Sequence, residues 1–180
     1  DAVFADHDGD GDTDLYVPVN VGGTARWHVR LASSAAPGAY AGSPVNTGVA
    51  RYGAGRVLEF DGDGRRDLLA QGPGSPATWF VHQSNGTGAF LTAINTGLTT
   101  ATVPAPLVTD VDGDGLDDLV YTRDYLVHIR RNTGAGFGPE LTTSVGTTIN
   151  GGATLLPLLA GAGGAPDFDG DGRQDLLIMR

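Results

Sequence analysis

The sequence predicts an all-β fold of repeated four-stranded antiparallel sheets, arranged as the blades of a β-propeller. Three observations support this prediction. Residues that favour solvent-facing helices are scarce, since there is no Lys and there are only two Glu and three Gln. A nine-residue acidic pattern recurs four times at intervals of 53, 51 and 57 residues. Each interval contains about four strand-like segments, which is the content of one propeller blade.

The acidic repeats define the organisation of the chain, which we interpret as a single repeat region over residues 1–180. We call them loop 1 (residues 6–14), loop 2 (59–67), loop 3 (110–118) and loop 4 (167–175). Together they contain 18 of the 21 carboxylates, so the negative charge is concentrated in four places. Four copies of one such pattern indicate a shared function for these loops.

Short apolar segments flank each loop, so we expect each loop to connect the two strands of a hairpin. The following segments are Leu15–Val17, Leu68–Ala70, Leu119–Tyr121 and Leu176–Ile178, and the preceding ones include Ala2–Phe4, Val57–Leu58 and Pro106–Val108. A third strand is predicted at Trp27–Leu31, Trp79–Gln83 and Leu126–Arg130. Glycine-rich turns then lead to a weaker fourth strand. Three complete units and the opening hairpin of a fourth make about three and a half blades of a larger propeller.

The loop pattern D-x-D-G-D-G-x-x-D is suited to binding a hard cation. Carboxylates at positions one, three and five converge in a tightly turning loop, and the position-seven carbonyl and position-nine carboxylate complete an oxygen-only set. Such a set favours Ca²⁺ over zinc or copper. The loops are not EF-hands, because position 12 holds Val17, Ala70, Tyr121 or Ile178 instead of Glu, and no flanking helix is predicted.

With Leu and two further apolar residues after each loop, this pattern resembles the FG-GAP/VCBS repeats of integrin-α-type β-propellers. The resemblance implies that each loop joins the first two strands of a blade and holds one Ca²⁺, three to four per chain. It assigns side-chain ligands at Asp6, Asp8, Asp10 and Asp14; Glu59, Asp61, Asp63 and Asp67; Asp110, Asp112, Asp114 and Asp118; and Asp167, Asp169, Asp171 and Asp175. It assigns main-chain oxygens of Asp12, Arg65, Leu116 and Arg173. Glu59 departs from the pattern, and its extra methylene is expected to weaken that site.

Other features exclude several functions. The net charge of −10 argues against a nucleic-acid partner. The absence of Cys excludes disulfides and thiolate chemistry. No apolar segment approaches the roughly 18 residues that span a membrane. No nucleophile elbow, phosphate-binding loop or zinc-protease motif is present, so we expect no enzymatic activity. We also expect no metal or catalytic role for His7, His28, His82 or His128.

These observations predict a calcium-stabilised propeller module of an extracellular or surface protein, with a structural and protein-interaction role. Its partners would be another protein or neighbouring domains of a longer polypeptide, since the chain starts without Met and close to a motif. The run at residues 131–138 is similar to turns in bacterial Rhs and insecticidal-toxin-complex shell proteins. Two alternatives are a lectin, with Trp27 and Trp79 as exposed sugar-stacking rings, and a non-catalytic appendage of a secreted hydrolase. We expect both rings to lie in the core.

Overall fold

The computed structural model describes residues 2–33, 39–40, 42–103, 106–146, 167, 169–171 and 174. These residues form twelve β-strands and no helix. The strands are β1 (Val3–Ala5), β2 (Asp14–Val21), β3 (Thr24–Arg30), β4 (Val45–Ala50), β5 (Gly55–Leu58), β6 (Asp67–Gly74), β7 (Ala77–His82), β8 (Ile94–Thr99), β9 (Leu107–Thr109), β10 (Asp118–Arg123), β11 (Leu126–Arg130) and β12 (Leu141–Gly146). The predicted all-β class is therefore confirmed for the described part of the chain.

The strands form three antiparallel sheets, and each sheet contains four consecutive strands in sequence order. We call these the first sheet (β1–β4), the second sheet (β5–β8) and the third sheet (β9–β12). Loops 1, 2 and 3 each connect the first two strands of a sheet, as predicted. The predicted strand of the fourth repeat, Leu176–Ile178, lies outside the described residues.

A common irregularity joins the third and fourth strands of every sheet. The pairing register shifts between β3 and β4, between β7 and β8, and between β11 and β12. Near each shift, a threonine hydroxyl of the fourth strand donates a hydrogen bond to a main-chain carbonyl of the third strand. The pairs are Thr47 with Trp27, Thr96 with Trp79 and Thr143 with Val127. The threonine therefore fixes a fourth strand that has little apolar character of its own.

Apolar contacts between neighbouring sheets form the core. One cluster joins Tyr16, Trp27 and Val29 of the first sheet to Leu68 and Ala70 of the second. A second cluster joins the second sheet to the third, through residues such as Trp79 and Leu119. The first strands also meet, since β1 contacts β5 and β5 contacts β9. The sheets thus follow one another face to face, in a β-propeller-like order.

The described residues contain no helix with the length and apolar character needed to cross a bilayer.

Candidate metal centre

Each acidic loop brings carboxylate oxygens together. In every loop, three acidic residues each place one oxygen within 4.8 Å of the other two. The groups are Asp6, Asp8 and Asp10; Glu59, Asp61 and Asp63; Asp110, Asp112 and Asp118; and Asp167, Asp169 and Asp171. Three of the predicted side-chain ligands therefore converge in each loop. The position-seven carbonyls and the other predicted ligands stay predictions, and Arg173 and Asp175 lie outside the described residues.

The first carboxylate of a loop organises its turn. In loop 1, Asp6 accepts the Gly9 N–H at 2.7 Å and the Gly11 N–H at 2.9 Å, one on each carboxylate oxygen. Both glycines have positive φ, 79° and 88°, a conformation that other residues adopt only with strain. Asp110 makes the equivalent two bonds in loop 3, at 2.8 and 2.9 Å. This turn directs the following carboxylates toward the first one.

Glu59 has a similar position in loop 2, despite its longer side chain. It accepts the Gly62 N–H at 3.0 Å. In the same loop the guanidinium of Arg65 forms an ion pair with Asp63. A cation in this loop would therefore compete with an internal arginine for one of its carboxylates.

The ninth residue of loops 1, 2 and 3 has a structural role that the sequence did not reveal. Asp14 accepts the His7 N–H at 2.7 Å with one oxygen and the Ala32 N–H at 2.6 Å with the other. This buried carboxylate joins the start of its loop to the segment that follows the third strand. Asp67 does the same with Phe60 and Ser84, and Asp118 does so with Val111 and Asn132.

Burial and crowding disfavour ionisation of these carboxyl groups in the metal-free protein. Burial raises the pKa of Asp67 to about 7, and the nearby Asp61 and Asp63 charges act in the same direction. Burial raises the pKa of Asp118 to about 6, with a further contribution from Asp112 and Asp110. A bound cation would favour the ionised forms.

The donor set fits a hard divalent cation. All the converging atoms are carboxylate oxygens. In loop 3, the Oδ1 atom of Asp112 is buried and has no hydrogen-bond partner among the described residues, while its Oδ2 atom lies 3.1 Å from the Arg131 guanidinium. A buried acceptor without a partner is costly, and a cation would satisfy it.

A repeated main-chain hydrogen bond connects consecutive loops. In loops 1, 2 and 3, the carbonyl of the first residue accepts the N–H of the eighth residue of the next loop. The pairs are Asp6 with Arg66 at 2.7 Å, Glu59 with Asp117 at 2.8 Å and Asp110 with Gln174 at 3.1 Å. Consecutive loops therefore lie side by side, and the residue that begins the carboxylate group of loops 1, 2 and 3 also contacts the next loop.

Side chains reinforce the same junctions. Ser84, after the third strand of the second sheet, donates its hydroxyl to the His7 carbonyl in loop 1 at 2.6 Å. Asn132, at the equivalent place in the third sheet, donates its side-chain amide to the Phe60 carbonyl in loop 2 at 2.9 Å. Loops 1 and 2 are thus each held by the next sheet as well as by their own.

His7 belongs to the first junction and is fully buried. Its Nε2 accepts the Gly88 N–H at 3.1 Å, and its Nδ1 lies 2.8 Å from the Tyr16 hydroxyl, which donates to the Arg66 carbonyl. Burial, together with the Arg65 charge, lowers the pKa of His7 to about 4. The imidazole is therefore neutral at physiological pH and acts as a polar link between sheets.

The two tryptophans do not form sugar-stacking platforms. Trp27 and Trp79 are 1% and 0% exposed and pack in the two core clusters. The exposed aromatic rings include Tyr52 and Tyr125. The core position expected for the tryptophans is confirmed.

Comparison with protein families matches the chain twice to an FG-GAP-like repeat, over residues 60–121 and 110–178. No curated protein matches the chain. Among the solved structures that match is a lectin from Agrocybe aegerita, described as specifically recognising non-reducing terminal N-acetylglucosamine. It is 22% identical with a TM-score of 0.61, and the alignment covers 79% of this chain and 37% of the lectin. The two proteins share a fold, and this chain spans a little over a third of the lectin's length.

Proposed function

The chain belongs to the FG-GAP-like repeat family, and on this premise we propose that it is a calcium-stabilised propeller module of an extracellular or surface protein. In this proposal the three sheets are blades of a larger β-propeller. The module has a structural and protein-interaction role, and its partners are proteins or neighbouring domains, as in the shell of an Rhs or toxin-complex protein. It has no catalytic activity of its own.

The repeated convergence of carboxylates in all four loops is the observation that carries this proposal. The residues that would hold the ions are the grouped carboxylates of each loop, the ninth-position Asp and the seventh-position carbonyl. Oxygen sites of this kind with modest affinity suit the millimolar calcium of extracellular fluids. When bound, Ca²⁺ supplies positive charge and no redox chemistry.

The inter-loop hydrogen bonds explain how metal binding would stabilise more than one loop. Asp6, Glu59 and Asp110 each offer a carboxylate to their own loop and a carbonyl to the next. An ion that fixes the first residue of a loop therefore also fixes the acceptor for the next sheet. Calcium would hold neighbouring blades in register.

A count of bound calcium by equilibrium dialysis tests this function. We expect three to four ions per chain for the natural sequence, and one fewer for Asp112→Asn, because Asp112 contributes the unpartnered oxygen in loop 3. Asp124→Asn is the matched control, since it removes the same charge from an exposed residue outside the loops. Absence of bound calcium, or equal counts in both variants, would contradict the proposal.

Carbohydrate binding is a second candidate function, favoured by the structural likeness to a lectin. Because both tryptophans are buried, such a site would have to use other side chains. A glycan array with no bound sugar would remove this candidate.

A further inference from the structure

The residue that follows the third strand differs in chemistry between the three sheets. The strands β3, β7 and β11 end at equivalent registers, because the last residue of each pairs with the leucine that follows the acidic loop of its sheet. The residues that come next are therefore equivalent as well. They are Leu31, Gln83 and Arg131.

Two of these residues contact the third-position carboxylate of the loop in their own sheet. The Arg131 guanidinium lies 3.1 Å from Oδ2 of Asp112 in loop 3. The Gln83 side-chain amide donates to Oδ2 of Asp61 in loop 2 at 2.6 Å. Leu31 has no polar group to offer to loop 1. From this position, the third carboxylate thus meets a positive charge in loop 3, a neutral donor in loop 2 and neither in loop 1.

The carboxylate group of loop 3 also differs from the others. Its converging oxygens belong to positions one, three and nine, whereas those of loops 1, 2 and 4 belong to positions one, three and five. In loops 1, 2 and 4, Oδ1 of the third residue accepts the N–H of the fifth residue at 3.3, 3.3 and 3.2 Å. In loop 3, Oδ1 of Asp112 has no hydrogen-bond partner among the described residues. Arg131 therefore holds Asp112 in place of a bond within the loop.

Loop 1 has the opposite electrostatic character. It contains five carboxylates, and one of them, Asp12, lies at the seventh position, where the other loops have no acidic residue. Among the described residues, no arginine forms an ion pair with a carboxylate of loop 1. Burial raises the pKa of Asp8, and the charges of Asp14 and Asp10 act in the same direction. A divalent cation in loop 1 would relieve this repulsion without displacing an arginine from a carboxylate of the loop.

We propose that Arg131 is a resident counter-ion that lowers the calcium affinity of loop 3, so that loop 1 fills before loop 3 as calcium rises. A calcium ion in loop 3 must replace the guanidinium at Asp112 or bind beside its positive charge, and both are unfavourable. The affinity of oxygen-ligand calcium sites depends on the charge of the ligand set. This inference rests on the proposed calcium function and deepens it, since one chain then has sites of two affinities.

A calcium titration of the 180-residue chain, followed by NMR, distinguishes the two loops. The N–H groups of Gly11 in loop 1 and Gly115 in loop 3 both donate to the first carboxylate of their loop at 2.9 Å, so each signal reports on its own site. Arg131→Gln removes the charge and keeps a long polar side chain. The substitution should not disturb the fold, because the Arg131 side chain is 55% exposed.

Two control variants separate the local charge from other effects. Arg131→Lys keeps the positive charge at the same position. Arg26→Gln removes an equal charge from a side chain that bonds to the Gly48 carbonyl within the first sheet. All titrations use one pH and one ionic strength, because salt screens exposed ion pairs.

In the natural chain, we expect the Gly11 signal to reach its midpoint at a lower calcium concentration than the Gly115 signal. Arg131→Gln should lower the Gly115 midpoint about threefold and leave the Gly11 midpoint unchanged. Both midpoints should stay close to their natural values in the two controls.

An unchanged or raised Gly115 midpoint in Arg131→Gln would overturn the proposal, since loss of a merely supporting side chain weakens binding. A Gly115 midpoint at or below that of Gly11 in the natural chain would overturn it as well. If neither signal responds to calcium up to about 10 mM, roughly ten times the weakest dissociation constant of extracellular modules, the proposed metal function itself is contradicted.

Discussion

The ninth residue of loop 3, Asp118, shows how one carboxylate can serve both the fold and a candidate metal site. Asp118 is 1% exposed, accepts main-chain N–H groups from Val111 and Asn132, and still lies with Asp110 and Asp112 in the carboxylate group of loop 3. Both hydrogen bonds come from main-chain groups of the protein. The side chain therefore fixes the loop through contacts other than those it would make to a cation.

Substituting this residue should destabilise the protein even in excess chelator. In Asp118→Asn, the amide nitrogen replaces one acceptor and leaves a buried main-chain N–H without a partner. We expect the free energy of unfolding to fall by about 2 kcal/mol. Denaturant titration measures the change, with Asp124→Asn as the control that should stay within about 0.5 kcal/mol of the natural chain. If both variants behave alike, the structural role assigned to Asp118 is wrong.

At the residue scale, the sequence is enough to predict the acidic groups. It does not predict the hydrogen-bond partners that hold these groups in place. The regular spacing of Asp6, Asp8 and Asp10 is enough to predict that their oxygens converge. The partner of Asp14, the Ala32 N–H, is 18 residues away, and nothing in the local pattern identifies it. The burial of His7 is equally hidden, because its partners include Gly88 in another sheet.

At the scale of strands and sheets, polar junctions and apolar clusters act together. The apolar clusters hold the faces of neighbouring sheets in contact. Hydrogen bonds at the end of the sheets where the acidic loops lie fix the position of one sheet relative to the next. Asn132 is the clearest example, since its side-chain amide reaches the carbonyls of Phe60 and Asp117 from a site that is 4% exposed.

Removing this junction should weaken the contact between the second and third sheets. In Asn132→Ala, two buried carbonyls lose a donor, and we expect a loss of about 2 kcal/mol in the free energy of unfolding. Hydrogen exchange of the Asp117 N–H, which binds the Glu59 carbonyl, should also accelerate. Thr133→Ala is the control, because that hydroxyl bonds only within its own turn, to Gly136. Unchanged exchange at Asp117 would argue against a junction at Asn132.

Strand prediction succeeded where an apolar pattern was strong. Leu126–Arg130 forms β11 with the predicted bounds, whereas β3 begins at Thr24, three residues before the predicted Trp27. The fourth strands were weakly predicted. In β4 (Val45–Ala50), apolar and polar residues do not alternate regularly. The hydrogen bond from the Thr47 hydroxyl to the Trp27 carbonyl helps to hold this strand in place. Such a bond between distant segments leaves no periodic signal.

At the scale of the whole molecule, the main feature is the uneven distribution of negative charge. The net charge is −10, and 18 of the 21 carboxylates lie in four loops. Inter-loop hydrogen bonds place these loops side by side. With roughly one divalent cation in each loop, four cations would add eight positive charges. The net charge of −10 would then fall to about −2, which is close to neutral.

A thermal melt in excess chelator and in millimolar calcium tests the central claim most directly. The account predicts a large rise in the midpoint with calcium. Each site would contribute about 2.7 kcal/mol when calcium is at 100 times its dissociation constant. Magnesium at the same concentration controls for ionic strength and should stabilise less, because it prefers a smaller octahedral site. Identical midpoints in chelator and calcium would contradict the account and leave the loops as acidic turns.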